Sequence, residues 1–178
     1  METRDAIRLI EGAILRSGGV WADLGCGDGT FTLALSERLG AGGRIYAVDN
    51  DARALSRLRR RAANRAGVIP VQADFTQPIA LPGYDGTLDG LLFANALHFV
   101  AHPERVLAAW VARLNPGGRA VFVEYDRRAA NPWVPYPIAP ARLEEVAAAS
   151  GLSPPEVTAR HPSAFSGDLY AAVAIRPR

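Results

Sequence analysis

Between two apolar runs the chain reads Asp23-Leu24-Gly25-Cys26-Gly27-Asp28-Gly29. Glycines at alternate positions permit a tight turn and let a ligand approach the backbone closely. The residues before them, Val20–Leu24, form a short buried strand in sequence pattern. Those after them, Thr30–Leu39, read as a helix stopped by Gly40 and the Gly42-Gly43 pair. A chain that must turn from a strand into a helix through such a loop is committed early to an α/β arrangement.

The rest of the sequence keeps that rhythm. Residues 3–17 carry Ile7, Ile10 and Ile14 at helical spacing, before Gly18-Gly19. Arg44–Val48 is a second strand, followed by a helix from Asp51 to Ala66. Val68–Ala73, shortened by Pro70, is a third strand and Leu88–Ala94 a fourth. Pro103–Leu114 is a helix, and the turn Asn115-Pro116-Gly117-Gly118 leads into a fifth strand, Arg119–Tyr125. Residues 140–150 read as helical. Glu156–Arg160 and Tyr170–Ile175 predict a hairpin around a His161–Asp168 loop. Strands alternating with helices imply a parallel sheet covered on both faces, closed here by an antiparallel edge.

The chain's 178 residues predict a single domain, residues 1–178, with a proper core. No apolar run reaches the roughly 18 residues of a membrane span. The charged start Met-Glu-Thr-Arg-Asp lacks a signal core, and Cys26 has no partner, so a cytoplasmic protein is expected. The pI of about 9.0 does not argue for nucleic acid. All 20 basic side chains are arginine, the net charge is only +2, and arginine holds its proton past the range where tyrosine titrates. The helical run Arg57, Arg59, Arg60, Arg61, Arg65 places Leu55, Leu58 and Ala62 inward, with Arg53, Arg57, Arg60 and Asn64 as a solvated outer row.

In an open α/β sheet a ligand sits beyond the carboxyl ends of the strands. The chemistry-bearing residues follow that rule. Asp23 and the glycine loop end the first strand, Asp49 the second, Asp74-Phe75 the third, and Asn95-Ala96-Leu97-His98 the fourth. Dinucleotide loops read G-x-G-x-x-G, whereas here Thr30 stands where the third glycine would be. Asp23, Asp28 and Asp49 would repel a pyrophosphate, which prefers bare helix amides. A ligand with a ribose and a cationic group fits better, and S-adenosylmethionine has both. A nicotinamide-dependent reductase is disfavoured on the same ground. No His, Cys or acid group has metal-ligand spacing, so no metal is expected.

These residues closely resemble the class I S-adenosylmethionine-dependent methyltransferases. The resemblance rests on Trp21–Thr30, Tyr46–Asn50, Ala73–Phe75, Phe93–His98 and Leu114–Gly118 in this order and spacing. It implies a Rossmann-like, doubly wound, seven-stranded, mostly parallel sheet with an antiparallel C-terminal hairpin. It implies that Asp23, Gly25 and Gly27 lie under the methionyl part of the cofactor. Asp49 would hold the ribose with Asn50 nearby, Asp74 would meet the adenine amino group with Phe75 beside the ring, and Asn95 would approach the cofactor. The fourth-strand motif lacks the Pro-rich tetrapeptide of amino-directed nucleic-acid enzymes and looks more like enzymes of small metabolites. The expected partner is therefore a small-molecule acceptor, with His98 as candidate base where the acceptor arrives protonated.

Only about one helix precedes the first strand, where small-molecule enzymes of this kind commonly carry more. The bare site leaves room for a second reading, a cofactor-binding subunit without its own activity. Asp126–Pro140, with four prolines plus Trp133 and Tyr136, is the expected cover and substrate pocket together with His98-Phe99. A homodimer is one arrangement that would help it.

Overall fold

The computed structural model describes residues 1–65, 67–84, 86–127, 129–162 and 168–178. Seven strands are hydrogen-bonded in the order β3-β2-β1-β4-β5-β7-β6. They are β1 (Gly19–Leu24), β2 (Gly43–Asp49), β3 (Val68–Gln72), β4 (Leu88–Ala94), β5 (Leu114–Tyr125), β6 (Glu156–Pro162) and β7 (Asp168–Ile175). The first five run parallel, while β7 is antiparallel to both β5 and β6. The expected α/β class, strand number and terminal hairpin are all present. Its connecting residues Ser163–Gly167 lie outside the described residues.

Strand alternation divides the core. Ala22, Leu24, Leu91, Phe93 and Phe122 point to one face, where they meet Leu107, Trp110 and Val111 of α4 (Pro103–Val111) and Leu143 and Val146 of α5 (Pro140–Ala149). Trp21, Ile45, Leu92, Val121 and Val123 point to the other. There they meet Leu9 and Ile10 of α1 (Thr3–Ile10) and Phe31, Ala34 and Leu35 of α2 (Thr30–Leu39). Helix α3 (Ala52–Arg61) buries Leu55 and Leu58, with Ala62 just beyond it, as its apolar stripe predicts. A sheet covered on both faces requires such near-continuous apolar strands. Pro70 is tolerated because β3 is the edge.

Several boundaries differ from the sequence pattern, three of them informatively. The first helix ends at Ile10 and tightens into a 3₁₀ turn, Glu11–Ala13. Helix α3 stops at Arg61, and Arg65 is held by Ser36 at 3.2 Å and Glu37 at 3.0 Å. The Asn115–Gly118 turn is absorbed into β5 across an irregularity between Leu88 and Gly90. There Gly117 N–H donates to the Arg176 carbonyl, and Arg176 N–H to that of Gly118.

The crossover from β3 to β4 is unusual. Parallel strands are usually joined through a helix, yet residues 73–87 form none among the described residues. Side chains satisfy its backbone carbonyls instead. Trp110 Nε1 donates to Phe75 O at 2.9 Å, Arg113 to Ile79 O at 3.2 Å, and the Tyr46 hydroxyl to Pro82 O at 3.0 Å.

Candidate functional site

Strand order reverses between β1 and β4, which opens a crevice where their carboxyl ends diverge. A cavity of about 400 Å³ lies there, lined by Gly25, Gly27, Asp49, Asn50, Asp74, Phe75, Asn95 and Phe99 among others. Seven of the eight residues expected around the cofactor thus line one cavity; Asp23 lies just behind. No basic side chain is in the lining.

The glycine loop is shaped by its neighbours. Gly25 has φ +77°, and a Cβ there would stand 2.7 Å from the Ala96 Cβ and 3.3 Å from the Phe75 ring. Gly27 is also left-handed, at φ +54°, but nothing lies within 4 Å of where its Cβ would be. The first glycine is needed for packing, whereas the second leaves open space at the floor of the cavity. Asp49 fixes the loop, because its carboxylate accepts Gly27 N–H at 2.7 Å and Asp51 N–H at 2.8 Å. From outside, Arg61 of α3 donates to the Asp28 carbonyl at 2.8 Å and pairs with its carboxylate at 3.1 Å. Arg61, like Arg65 of the same basic run, therefore has a structural use that charge patterning did not reveal.

Asp23 is wholly buried, and Thr32 donates to its Oδ2 at 2.5 Å. Its Oδ1 has no partner among the described residues. Burial raises its carboxyl from 3.8 to about 7, against the lowering by Thr32 and with a further push from the Asp49 charge. A buried carboxylate oxygen without a donor is costly, and a cationic ligand is one group that would offset it. Asn95 repeats the pattern. Its φ is +53°, uncommon for a residue with a side chain, and its Oδ1 is buried and unpartnered among the described residues. Asp74 turns back on its own loop, accepting both the N–H and the hydroxyl of Thr76. Phe75 stands edge-on to Phe93 with ring centroids 6.0 Å apart. Burial pushes the Cys26 thiol up, as do the Asp23 and Asp49 charges, so Cys26 is no nucleophile.

His98 is buried, and its Nδ1 lies 2.5 Å from Glu124 Oε2. The other oxygen of Glu124, itself fully buried, accepts Leu97 N–H at 3.0 Å. This carboxylate joins the ends of β4 and β5 and orients the imidazole. The sequence reading missed Glu124 and Thr32. The available signal for Glu124 was a lone acid closing the apolar run Val121-Phe122-Val123, on the same rim as the other site residues.

The described residues of segment 126–140 line neither this cavity nor the groove beside α4. Val134, Ile138 and Ala139 anchor the segment in the core, while Trp133 is 78% exposed and Tyr136 47%. The Tyr170 hydroxyl donates to Ile138 O at 2.6 Å, and Tyr136 N–H to His98 O at 3.0 Å. Among the described residues, no cluster of three His, Cys, Asp or Glu could hold a metal, and no helix is long and apolar enough to cross a membrane.

Comparison with known proteins agrees with this geometry. Residues 22–118 match the family described as methyltransferase domain. An uncharacterized 37.1 kDa protein in a transposon of Streptomyces fradiae is 32% identical over 131 residues, covering 71% of this chain and 37% of that protein. A ubiquinone/menaquinone biosynthesis C-methyltransferase from Marinomonas is 29% identical over 113 residues, 64% of this chain and 45% of its own length. The chain thus spans less than half of these relatives. Among solved structures, the 1,6-didemethyltoxoflavin-N1-methyltransferase of Burkholderia thailandensis, crystallised with S-adenosylhomocysteine, superposes with a TM-score of 0.76. It is 22% identical, covering 99% of this chain and 78% of that one.

Proposed function

From a chain that belongs to the class I S-adenosylmethionine-dependent methyltransferase family, we propose an enzyme that methylates a small molecule directly, by in-line displacement. One observation carries the reading. The switch-point cavity is rimmed by Asp49 and Asp74, backed by the unpartnered oxygens of Asp23 and Asn95, and has no basic side chain. Such a lining suits a cation and sugar hydroxyls, and it repels phosphate.

Asp49 would accept the ribose hydroxyls on the lone pairs that Gly27 and Asp51 leave free, since a carboxylate offers about four. Asp23 and Asn95 would face the ammonium end above Gly25 and Gly27. Asp74 and Phe75, with Asn50 opposite, would hold the adenine. Bound there, S-adenosylmethionine supplies a methyl carbon on a positively charged sulfur, which leaves as a neutral thioether when the acceptor attacks in line. The protein's part is alignment and exclusion of water. Where the acceptor carries a proton, His98 takes it, with Glu124 on Nδ1 fixing the ring so that Nε2 is the basic edge.

Relatives named for quinone methylation support a small-molecule acceptor. A single unpaired cysteine supports the cytoplasm as its place. The test is calorimetry with S-adenosylhomocysteine. The wild type should bind, and Asp49→Ala should bind about 1.5–3 kcal/mol more weakly, the range for hydrogen bonds to a charged group. Unchanged affinity in the variant would remove Asp49 from the ribose site.

A further inference from the structure

Because residues 73–87 cross from β3 to β4 with no helix among the described residues, one face of α4 is left uncovered. Val106, Ala109, Trp110 and Arg113 follow at helical spacing along that face. A groove of about 830 Å³ runs beside it, from Phe99 at the rim to Arg113 at the far end, walled opposite by Phe75 and Ile79. Phe75 and Phe99 also line the cofactor cavity, so the two spaces adjoin at these rings. Helix α4 is 9 residues long, which gives the groove a length of about 13 Å.

The groove's charge is one-sided. No carboxylate lines it, while Arg105, Arg113 and His102 do. Arg113 is committed to Ile79 O and to the faces of Trp110 and Tyr84. Arg105 is exposed, and its guanidinium makes no hydrogen bond or ion pair among the described residues. The indole nitrogen of Trp110 is spent on Phe75 O, which leaves an apolar ring toward the groove. An apolar trough with one uncommitted guanidinium fits a ligand of matching character.

We infer that this groove seats the methyl acceptor and that the acceptor is a largely apolar organic acid. Its anionic group pairs with Arg105, its apolar body lies on Val106 and Trp110, and its reacting end meets the cofactor cavity past Phe99. The inference rests on the methyltransferase reading above, and the experiment separates the two.

The probe is 1-anilinonaphthalene-8-sulfonate, a flat apolar anion, followed by its own fluorescence. N-phenyl-1-naphthylamine, which lacks the sulfonate, is the uncharged control. The wild type should bind the anion at one site and the control at least about tenfold more weakly, as losing a charge-assisted contact implies. Arg105→Glu should weaken the anion by about tenfold or more and leave the control unchanged, whereas Ala109→Trp, which fills the trough, should weaken both. S-adenosylhomocysteine affinity should stay within about twofold in both variants, since neither residue lines the cofactor cavity. Anion binding that is absent from the wild type, or equal in all three proteins, overturns the groove assignment. Failure of S-adenosylhomocysteine to bind the wild type overturns the methyltransferase reading instead.

Discussion

Asp23 should give this protein a pH dependence that a single substitution abolishes. Its carboxyl stands at about 7 in the folded chain against 3.8 for an ordinary aspartate, chiefly because it is wholly buried. The folded state therefore holds this proton more tightly than the unfolded chain does. Stability from protonated Asp23 is complete below 3.8 and is lost as pH rises through about 7. Between pH 5 and pH 8 the loss is roughly 2–3 kcal/mol, since each pH unit spent between the two pKa values costs on the order of 1 kcal/mol. Asp23→Asn preserves the volume and keeps an oxygen for the Thr32 hydroxyl, yet carries no titratable proton. Its amide N–H₂ finds no acceptor where Oδ1 stood, at a cost of about 1–3 kcal/mol that does not vary with pH. Urea unfolding of both proteins at pH 5 and pH 8 isolates the effect, because every other titrating group cancels in the double difference. The wild type should lose roughly 2–3 kcal/mol more than the variant over that interval. Parallel losses would refute the reasoning, since Asp23 would then not be a protonated buried acid in the folded apo state. The same proton competes with a bound cation. Wild-type affinity for S-adenosylhomocysteine should fall as pH drops through about 7, whereas the variant's should stay flat.

Gly25→Ala forces a Cβ to 2.7 Å from Ala96 at φ +77° and should cost roughly 2–5 kcal/mol in thermal unfolding. Gly27→Ala meets nothing within 4 Å, so it should cost only the left-handed backbone, about 1–2 kcal/mol, while weakening cofactor binding; equal losses in the two variants would contradict this division. Glu124→Gln removes one of the two carboxylate oxygens that Leu97 N–H and His98 Nδ1 use. It should lower stability by about 1–3 kcal/mol, and an unchanged urea midpoint would show that the carboxylate is dispensable. Once an acceptor is in hand, His98→Ala should slow turnover by about 10²-fold with cofactor affinity near wild type, and a loss under about threefold would leave His98 a buried structural residue.

What the sequence disclosed was whatever depends on neighbours along the chain. Helix α2 runs from Thr30 to Leu39, as read, because a glycine turn enters it and a glycine pair ends it. Asp49, Asp74 and Asn95 fall together because strand ends in a parallel sheet share one rim, so spacing along the chain became proximity in space. Residues whose meaning depends on distant partners stayed hidden. Glu124 reads as one acid in an apolar strand until the fold brings His98, 26 positions earlier, to its carboxylate. Thr32 looks like an ordinary first-turn residue until α2 folds back over β1 and sets its hydroxyl on Asp23. The aromatics of 126–140 misled for a related reason. Their apolar area suits a pocket, but the core took the aliphatic residues of that segment and left Trp133 and Tyr136 outside.

Phe75 shows why cofactor and acceptor sites should not be independent. Its ring lies against the floor of the cofactor cavity, 3.3 Å from where a Gly25 Cβ would stand, and edge-on to Phe93. Its carbonyl is held at 2.9 Å by Trp110, whose ring faces the groove. With no helix among the described residues of the crossover, that bond and the one from Arg113 to Ile79 tie the start of the segment to α4 and the residues just after it. A ligand that presses on Phe75 from the cofactor side thus acts on the same short backbone that forms the opposite wall of the groove. Packed interiors pass such displacements on rather than absorb them.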